Sequence, residues 1–390
     1  MNANETCFVK LIRSHLNNTV PPVFDSTDYK EILRLAAINN VVGIIAAEIG
    51  KADETLKLPD EQMSFAKQQL GYTLIDYDEK CALVKNASEI FDSIGADYLF
   101  VKGTVIREYY PQKELRTSGD VDIIIRQKDI KRVCNALSDN GYRLTEDKGT
   151  YISFDYGNQH IEIHSDENYD NPYFKDIFSL CEKTGNGCIL SDELHLLYVL
   201  CHIAKHFNMC GAGIRMFIDI DVLIRHIGDF DYDGFIAECE KAGIATLAKA
   251  AFSLCNYWFD TPVKAEIDFN KNEAFRKLFE AEIINGGSFG FESRGLSDYY
   301  LNKGMGDEGR VDAKAKAGAL MHMLFPPKRY LYNQFRYAQE HHILLPAAWA
   351  NRLFNGVFRH GRNSAKTLDG IINRSSTESE YKKLLKELEL

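Results

Sequence analysis

Gly119-Asp120-Val121-Asp122-Ile123-Ile124-Ile125 places two carboxylates at the mouth of an apolar, β-branched run. β-Branched side chains fit a pleated surface, and the length and apolarity of the run predict a buried strand. Residues i and i+2 of a strand share a face, so Asp120 and Asp122 point the same way. Two aimed carboxylates at the start of a strand form a platform for a hard divalent cation, which prefers oxygen ligands. Asp-x-Asp alone is a common way to begin a strand, so the flanking segments decide the reading.

Upstream, Tyr98 to Val101 is a short apolar run that reads as a buried strand, broken by Lys102-Gly103-Thr104. Val105 to Tyr110 then reads as a short helix stopped by Pro111. Strand, glycine turn and helix together aim backbone N–H groups at an anion, and Gly103 would let a phosphate approach closely. A plain strand-to-helix turn that needs glycine is the alternative. Downstream, His160-Ile161-Glu162-Ile163-His164 alternates, which predicts a strand with His160, Glu162 and His164 on one face. Glu162 would supply a third carboxylate to the metal site or accept a proton from a hydroxyl.

This order of pieces resembles the nucleotidyltransferase superfamily related to DNA polymerase beta. More narrowly, it is similar to a bacterial family of uncharacterised nucleotidyltransferases with a Lys-Gly turn, an Arg-x-x-x-Asp-x-Asp segment and a Glu-x-His strand. The motif-bearing part covers about a quarter of the chain. The resemblance implies an α+β fold: a small mixed-sheet core flanked by N- and C-terminal helical regions. It implies metal-dependent transfer of a nucleoside monophosphate from an NTP, with Asp120, Asp122 and Glu162 as catalytic carboxylates and ligands of Mg²⁺ or Mn²⁺. Gly103 matches the first glycine of the superfamily's turn, and Thr104 stands where a second Gly or Ser is usual, its hydroxyl keeping a phosphate contact open. Arg116 and Ser118 match polar positions that contact the triphosphate or brace the aspartates from behind. Lys102 is a phosphate partner or a support for the turn. The expected acceptor is a hydroxyl or phosphate of a small molecule. A toxin-type enzyme acting on tRNA or protein shares the Arg116, Ser118, Asp120, Asp122 pattern and stays open, as does an inactive nucleotide-binding scaffold.

With 390 residues, the chain is long enough for two or three domains and a large core. Its net charge of −10 argues against broad, non-specific nucleic-acid binding. No apolar run approaches the ~18 residues of a membrane helix. The start, Met1-Asn2-Ala3-Asn4-Glu5-Thr6, has neither the basic region nor the apolar core of a signal peptide. Nine scattered cysteines without a Cys-x-x-Cys read as reduced thiols, so the expected location is the cytoplasm.

Three regions follow from the patterning: helical 1–94, an α/β core at 95–190, and helical 191–390. Within the first, residues 28–47 and 60–94 have helical spacing, the second with an interruption expected at Gly71. Residues 128–140 read as an amphipathic helix closed by Gly141. Segments 142–146, 150–156 and 160–164 read as antiparallel strands. After Ser191 a helix carries His195, His202, Lys205 and His206 on one side. We expect Lys205 and His206 to face the cleft and contact phosphate or acceptor, a solvated polar face being the alternative. Asp219 and Asp221 repeat Asp-x-Asp in a helix, where they diverge by ~200° and build no shared site. Arg215 is expected to pair with Asp219 at i,i+4. Residues 310–366 are basic and interleaved with aromatics, which fits RNA contact or, preferably, helices with solvated basic faces. The tail 375–390 reads as a charged peripheral helix.

Overall fold

A computed structural model describes residues 1–21, 28–51, 59–288, 312–326, 341–358, 361–373 and 380–390, with single positions between 297 and 338. Seven strands form one mixed sheet: β1 (Tyr98–Phe100), β2 (Val121–Ile125), β3 (Arg143–Asp147), β4 (Tyr151–Tyr156), β5 (Gln159–Ser165), β6 (Glu182–Thr184) and β7 (Gly187–Ile189). Their order is β3-β4-β5-β2-β1-β7-β6. β2 is central, antiparallel to β1 and parallel to β5, in a register that sets Asp122 beside Glu162. The hairpin β6–β7 was not anticipated. It turns at Gly185, whose φ of 75° suits glycine, and β7 extends the sheet alongside β1.

The helices before the sheet are α1 (Ala3–Leu16), α2 (Tyr29–Ile38), α3 (Val42–Lys51) and α4 (Asp60–Ser93). Two differ from expectation. The helical stretch 28–47 breaks at Asn39–Asn40, where Asn40 takes φ 54° and the Asn39 amide donates to Leu35 O and Ile284 O. By contrast α4 runs unbroken through Gly71. One partly exposed helical glycine costs only about 1 kcal/mol, less than a long packed helix gains. Next come α5 (Gly103–Ile106) and α6 (Ile130–Asp139) within the sheet region. Then follow α7 (Asp192–Phe207), α8 (Ile214–Ile227), α9 (Tyr232–Lys241), α10 (Ala245–Phe259) and α11 (Glu273–Asn285). The last are α12 (Ala313–Leu324), α13 (Leu345–Phe358), α14 (Gly361–Ile372) and α15 (Glu380–Glu387).

Alternation along the strands splits the packing. Val121, Ile123 and Ile125 of β2 and Ile161 and Ile163 of β5 pack against Leu83, Phe91, Val133 and Leu137 of α4 and α6. On the other face Leu99 and Ile124 join a larger core with α7 and α8 that reaches through α1–α3, α10, α11 and α15. The site carboxylates therefore lie on the face that the C-terminal helices cover.

The expected peripheral tail is corrected. Tyr381, Leu384, Leu385 and Leu388 form an apolar stripe at i, i+3, i+4 and i+7 and are buried in that larger core. In the basic stretch, Arg310, Lys328, Arg329, Arg336 and Arg359, with Tyr330, Tyr332 and Tyr337, lie outside the described residues. Phe335 there is buried in a small cluster with Leu331 and Leu345, whereas Phe354 is exposed.

Candidate active site

The site begins where β1 ends. Lys102 follows the strand with φ 56° and ψ −129°, a conformation that strains any residue with a Cβ. Two bonds hold it there. Its N–H donates to His195 Nε2 of α7 at 2.9 Å, and its ammonium donates to Asp122 Oδ1 at 2.8 Å. The first bond fixes the proton of neutral His195 on Nδ1.

Asp122 is 5% exposed. Its Oδ1 also meets His164 Nε2 at 2.9 Å, and that nitrogen lies 3.4 Å from Glu162 Oε2. Burial opposes the Asp122 charge, yet Lys102 and His164 hold its carboxyl well below the usual range. His164 is affected the other way: burial disfavours its charged form, but hydrogen bonds to Asp122 and Glu162 raise its pKa. For Asp120, burial and then the neighbouring Asp122 carboxylate push the pKa up, with Glu162 adding to the rise and Lys102 opposing it. Three acids thus act on one another around one ammonium.

This donor set suits a divalent cation. Asp122, Glu162 and His164 each offer an atom, and these atoms lie within 4.8 Å of one another. Carboxylate oxygen favours Mg²⁺ or Mn²⁺, and an imidazole is tolerated by Mn²⁺. Asp120 is outside that group and instead shares with Asp122 the wall of an adjoining cavity of about 60 Å³. Gly103, Arg116 and Ser118 line the same cavity, faced by His202, Arg215 and Asp219 from α7 and α8.

Arg116 lines that cavity but is held from α8. Its guanidinium forks onto Asp219 at 2.9 and 2.7 Å, and Tyr110 Oη donates to the same carboxylate at 2.6 Å. The expected Arg215–Asp219 pair is thereby replaced: Arg215 Nη1 donates instead to Thr117 O at 2.7 Å, and the i,i+4 pair of α8 is Asp221–Arg225 at 2.9 Å. Gly103 has a structural reason not read from sequence, since a Cβ there would fall 2.1 Å from Arg116 Nη1. Ser118 Oγ accepts from Arg107 Nη2 at 3.4 Å. Thr104 does not line the cavity, and its hydroxyl is enclosed without a hydrogen-bond partner among the described residues.

A strand-borne Asp-x-Asp beside a Lys-Gly turn, with a glutamate in register on the next strand, agrees with the comparison to known families. A family model described as uncharacterised nucleotidyltransferase matches residues 25–260. The chain belongs to this nucleotidyltransferase family. No curated protein matches it significantly. The family span runs from α2 to the end of α10 and includes every residue of the site described above.

In this nucleotidyltransferase, α7 turns His195, His202 and Lys205 toward the site; of the four residues expected on that side, His206 alone neither lines an inner cavity nor accepts from the Lys102 N–H. His202 lines the carboxylate cavity. Lys205 lines a second cavity, of about 30 Å³, with His164, Asp170, Phe174 and Tyr198. His206 lies behind His202, ring nitrogens 3.0 Å apart, and lines neither cavity. Asp170, which sequence reasoning passed over, anchors the group by accepting from Lys205 at 2.7 Å and His202 Nδ1 at 3.0 Å. Burial, then the Lys102 charge, lowers the His202 pKa to about 4. Lys102 lines both cavities and separates them. Each has room for a few waters at most.

Proposed function

We propose that the protein transfers a nucleoside monophosphate from an NTP to a hydroxyl of a small acceptor, as an EC 2.7.7-type enzyme. The observation that carries this is the parallel register of β2 and β5, which sets Glu162 beside Asp122 on the face that Asp120 also serves. The order of strand, Lys-Gly turn, helix, Asp-x-Asp strand and glutamate strand supports placing the family in the superfamily related to DNA polymerase beta. The same reading divides the chain near residues 94 and 190, with the α/β unit between two helical regions.

Asp120, Asp122 and Glu162 would hold Mg²⁺ or Mn²⁺, which would neutralise triphosphate charge and polarise the α-phosphorus. Lys102 leaves Asp122 as the triphosphate enters and pairs with phosphate oxygens. Gly103 and Thr104 N–H groups support the β- and γ-phosphates. Arg116, tied to Asp219, keeps the aspartate loop in place without touching substrate. The acceptor oxygen attacks the α-phosphorus in line, the bond to the β-phosphate oxygen breaks, and pyrophosphate leaves. Glu162, partly exposed beside the pair, takes the hydroxyl proton.

Replacing Asp120→Asn together with Asp122→Asn tests this. Metal-dependent pyrophosphate release from NTPs should fall to background while circular dichroism shows a retained fold. Undiminished release in the double variant rules the mechanism out.

A further inference from the structure

The lysines and arginines that line the two inner cavities have carboxylate partners, with one exception. Lys102 holds Asp122 at 2.8 Å, Arg116 holds Asp219 at 2.7 Å, and Lys205 holds Asp170 at 2.7 Å. The exception is Arg215, which is 8% exposed and lines the carboxylate cavity. Among the described residues its guanidinium meets the Thr117 carbonyl at 2.7 Å and no carboxylate within ion-pair distance. Burial and then the Arg116 charge disfavour its charged form, with Asp219, Tyr110 and Asp120 opposing. A guanidinium stays charged in a protein and carries several N–H donors, so one neutral carbonyl leaves most of its bonding capacity open.

The surroundings of Arg215 agree. It is the second residue of α8, whose N-cap, Gly213, offers no side chain to the first turn, and that turn holds no acid. Arg215 and Met216 put this turn on the cavity wall, so the positive end of the helix dipole lies there too. Asp219, one turn on, is already taken up by Arg116 and Tyr110. Asp120 is the complementary case: it lines the same cavity and forms no ion pair among the described residues. One cation lacks an acid, one acid lacks a cation, and the two do not meet. A metal-bound polyphosphate satisfies both, its metal going to the aspartates and its phosphate oxygens to the guanidinium and the helix start.

We propose that Arg215 is the side chain that binds the phosphate tail and makes the site select a metal-bound polyphosphate. Phosphate contact was expected of Lys205 and His206, which Asp170 and His202 engage instead. That the polyphosphate is an NTP rests on the nucleotidyl-transfer reading above; the charge argument rests on the cavity alone. Through its bond to Thr117, three residues before Asp120, the same guanidinium ties phosphate binding to the aspartate loop.

The test titrates the full chain with magnesium tripolyphosphate by calorimetry, at low and at moderate salt, in the wild type, Arg215→Lys and Arg215→Gln. Gln keeps a donor for the Thr117 carbonyl and Lys keeps the charge; circular dichroism checks each fold. Affinity should follow charge, falling about tenfold or more in Arg215→Gln and less in Arg215→Lys. The salt dependence should weaken in Arg215→Gln alone. Mn²⁺ by itself should bind Arg215→Gln at least as tightly as the wild type, because a repelling cation has gone. Equal tripolyphosphate affinity in wild type and Arg215→Gln overturns the proposal. So does an equal loss in both variants with unchanged salt dependence, which marks a purely structural role, and so does a loss of Mn²⁺ binding alongside it. The transfer reading fails separately. Tripolyphosphate binding that follows the charge series, in a wild type that moves no nucleotide, leaves Arg215 as a polyphosphate-binding residue and removes the reaction.

Discussion

The Lys102 ammonium lies 2.8 Å from Asp122 Oδ1, and a divalent cation on that oxygen must displace it. Burial disfavours the lysine's charge, but Asp122 holds its pKa above the ordinary value, so the ammonium stays charged against the carboxylate. Lys102→Met should therefore tighten Mn²⁺ binding, about tenfold or more by calorimetry, and make thermal stability more dependent on added Mn²⁺. Weaker Mn²⁺ binding in that variant would show that lysine and metal do not compete. The backbone of the same residue leads to a pH prediction. His195 accepts its N–H, is 3% exposed, and burial lowers its pKa from 6.5 to about 4. The unfolded chain binds a proton there between those values and the folded one does not, so this contribution is complete above pH 6.5 and is lost as pH falls toward 4. The loss is on the order of 3 kcal/mol. His195→Gln keeps an acceptor for the N–H but cannot charge, so its urea-unfolding free energy should fall less than the wild type's across that window. Parallel curves would place the titration elsewhere.

Between elements, the Arg116–Asp219 fork ties the aspartate loop to α8 across 103 residues of sequence. Both side chains are buried, so removing one leaves an uncompensated charge. Arg116→Ala should cost about 3–5 kcal/mol, and Arg116→Ala with Asp219→Ala should cost clearly less than the sum of the two single changes. Additive losses in a denaturant double-mutant cycle would show that the fork does not couple the elements. This pair also marks what the sequence hides. The strands at 98–101, 121–125 and 160–164 and the helix near 130–139 were legible because alternation and helical spacing are local signals. The placement of Glu162 beside Asp122 was legible through family resemblance and the two-residue strand period, whereas His164, not Asp120, completes the group of donor atoms. β6 and β7 were not legible, because Glu182–Thr184 is short, polar and exposed and lacks the apolar run that marked the equally short β1. On α7 the spacing put His202, Lys205 and His206 on one face. Which of them meets the cleft is set by Asp170, which lies 35 residues before Lys205 in a loop and leaves no local trace. The glycine at 103 was legible as a close approach, but the group that approaches is Arg116 rather than a ligand.

Across the molecule, one apolar core joins α1–α3, α7–α11 and α15, so the cover over the carboxylate face is built from both ends of the chain. No described helix is long and apolar enough to cross a membrane. α15 contributes Leu384, Leu385 and Leu388, all nearly fully buried, and Tyr381 Oη donates to Phe207 O at the end of α7. Leu384→Ala should therefore cost about 2–5 kcal/mol, read as a lower urea midpoint. An unchanged midpoint would return the helix to the periphery. The claim that organises the site, from the carboxylate register to the family match, is transfer of a nucleotidyl group at Asp120 and Asp122. Its most direct measurement supplies NTPs labelled at the α- or the γ-phosphate, with Mg²⁺ and a cell extract, to the wild type and to Asp120→Asn/Asp122→Asn. Wild type alone should move α-label onto an acceptor and release γ-label as pyrophosphate. Transfer of γ-label to the acceptor, or equal α-labelling by the double variant, would contradict it.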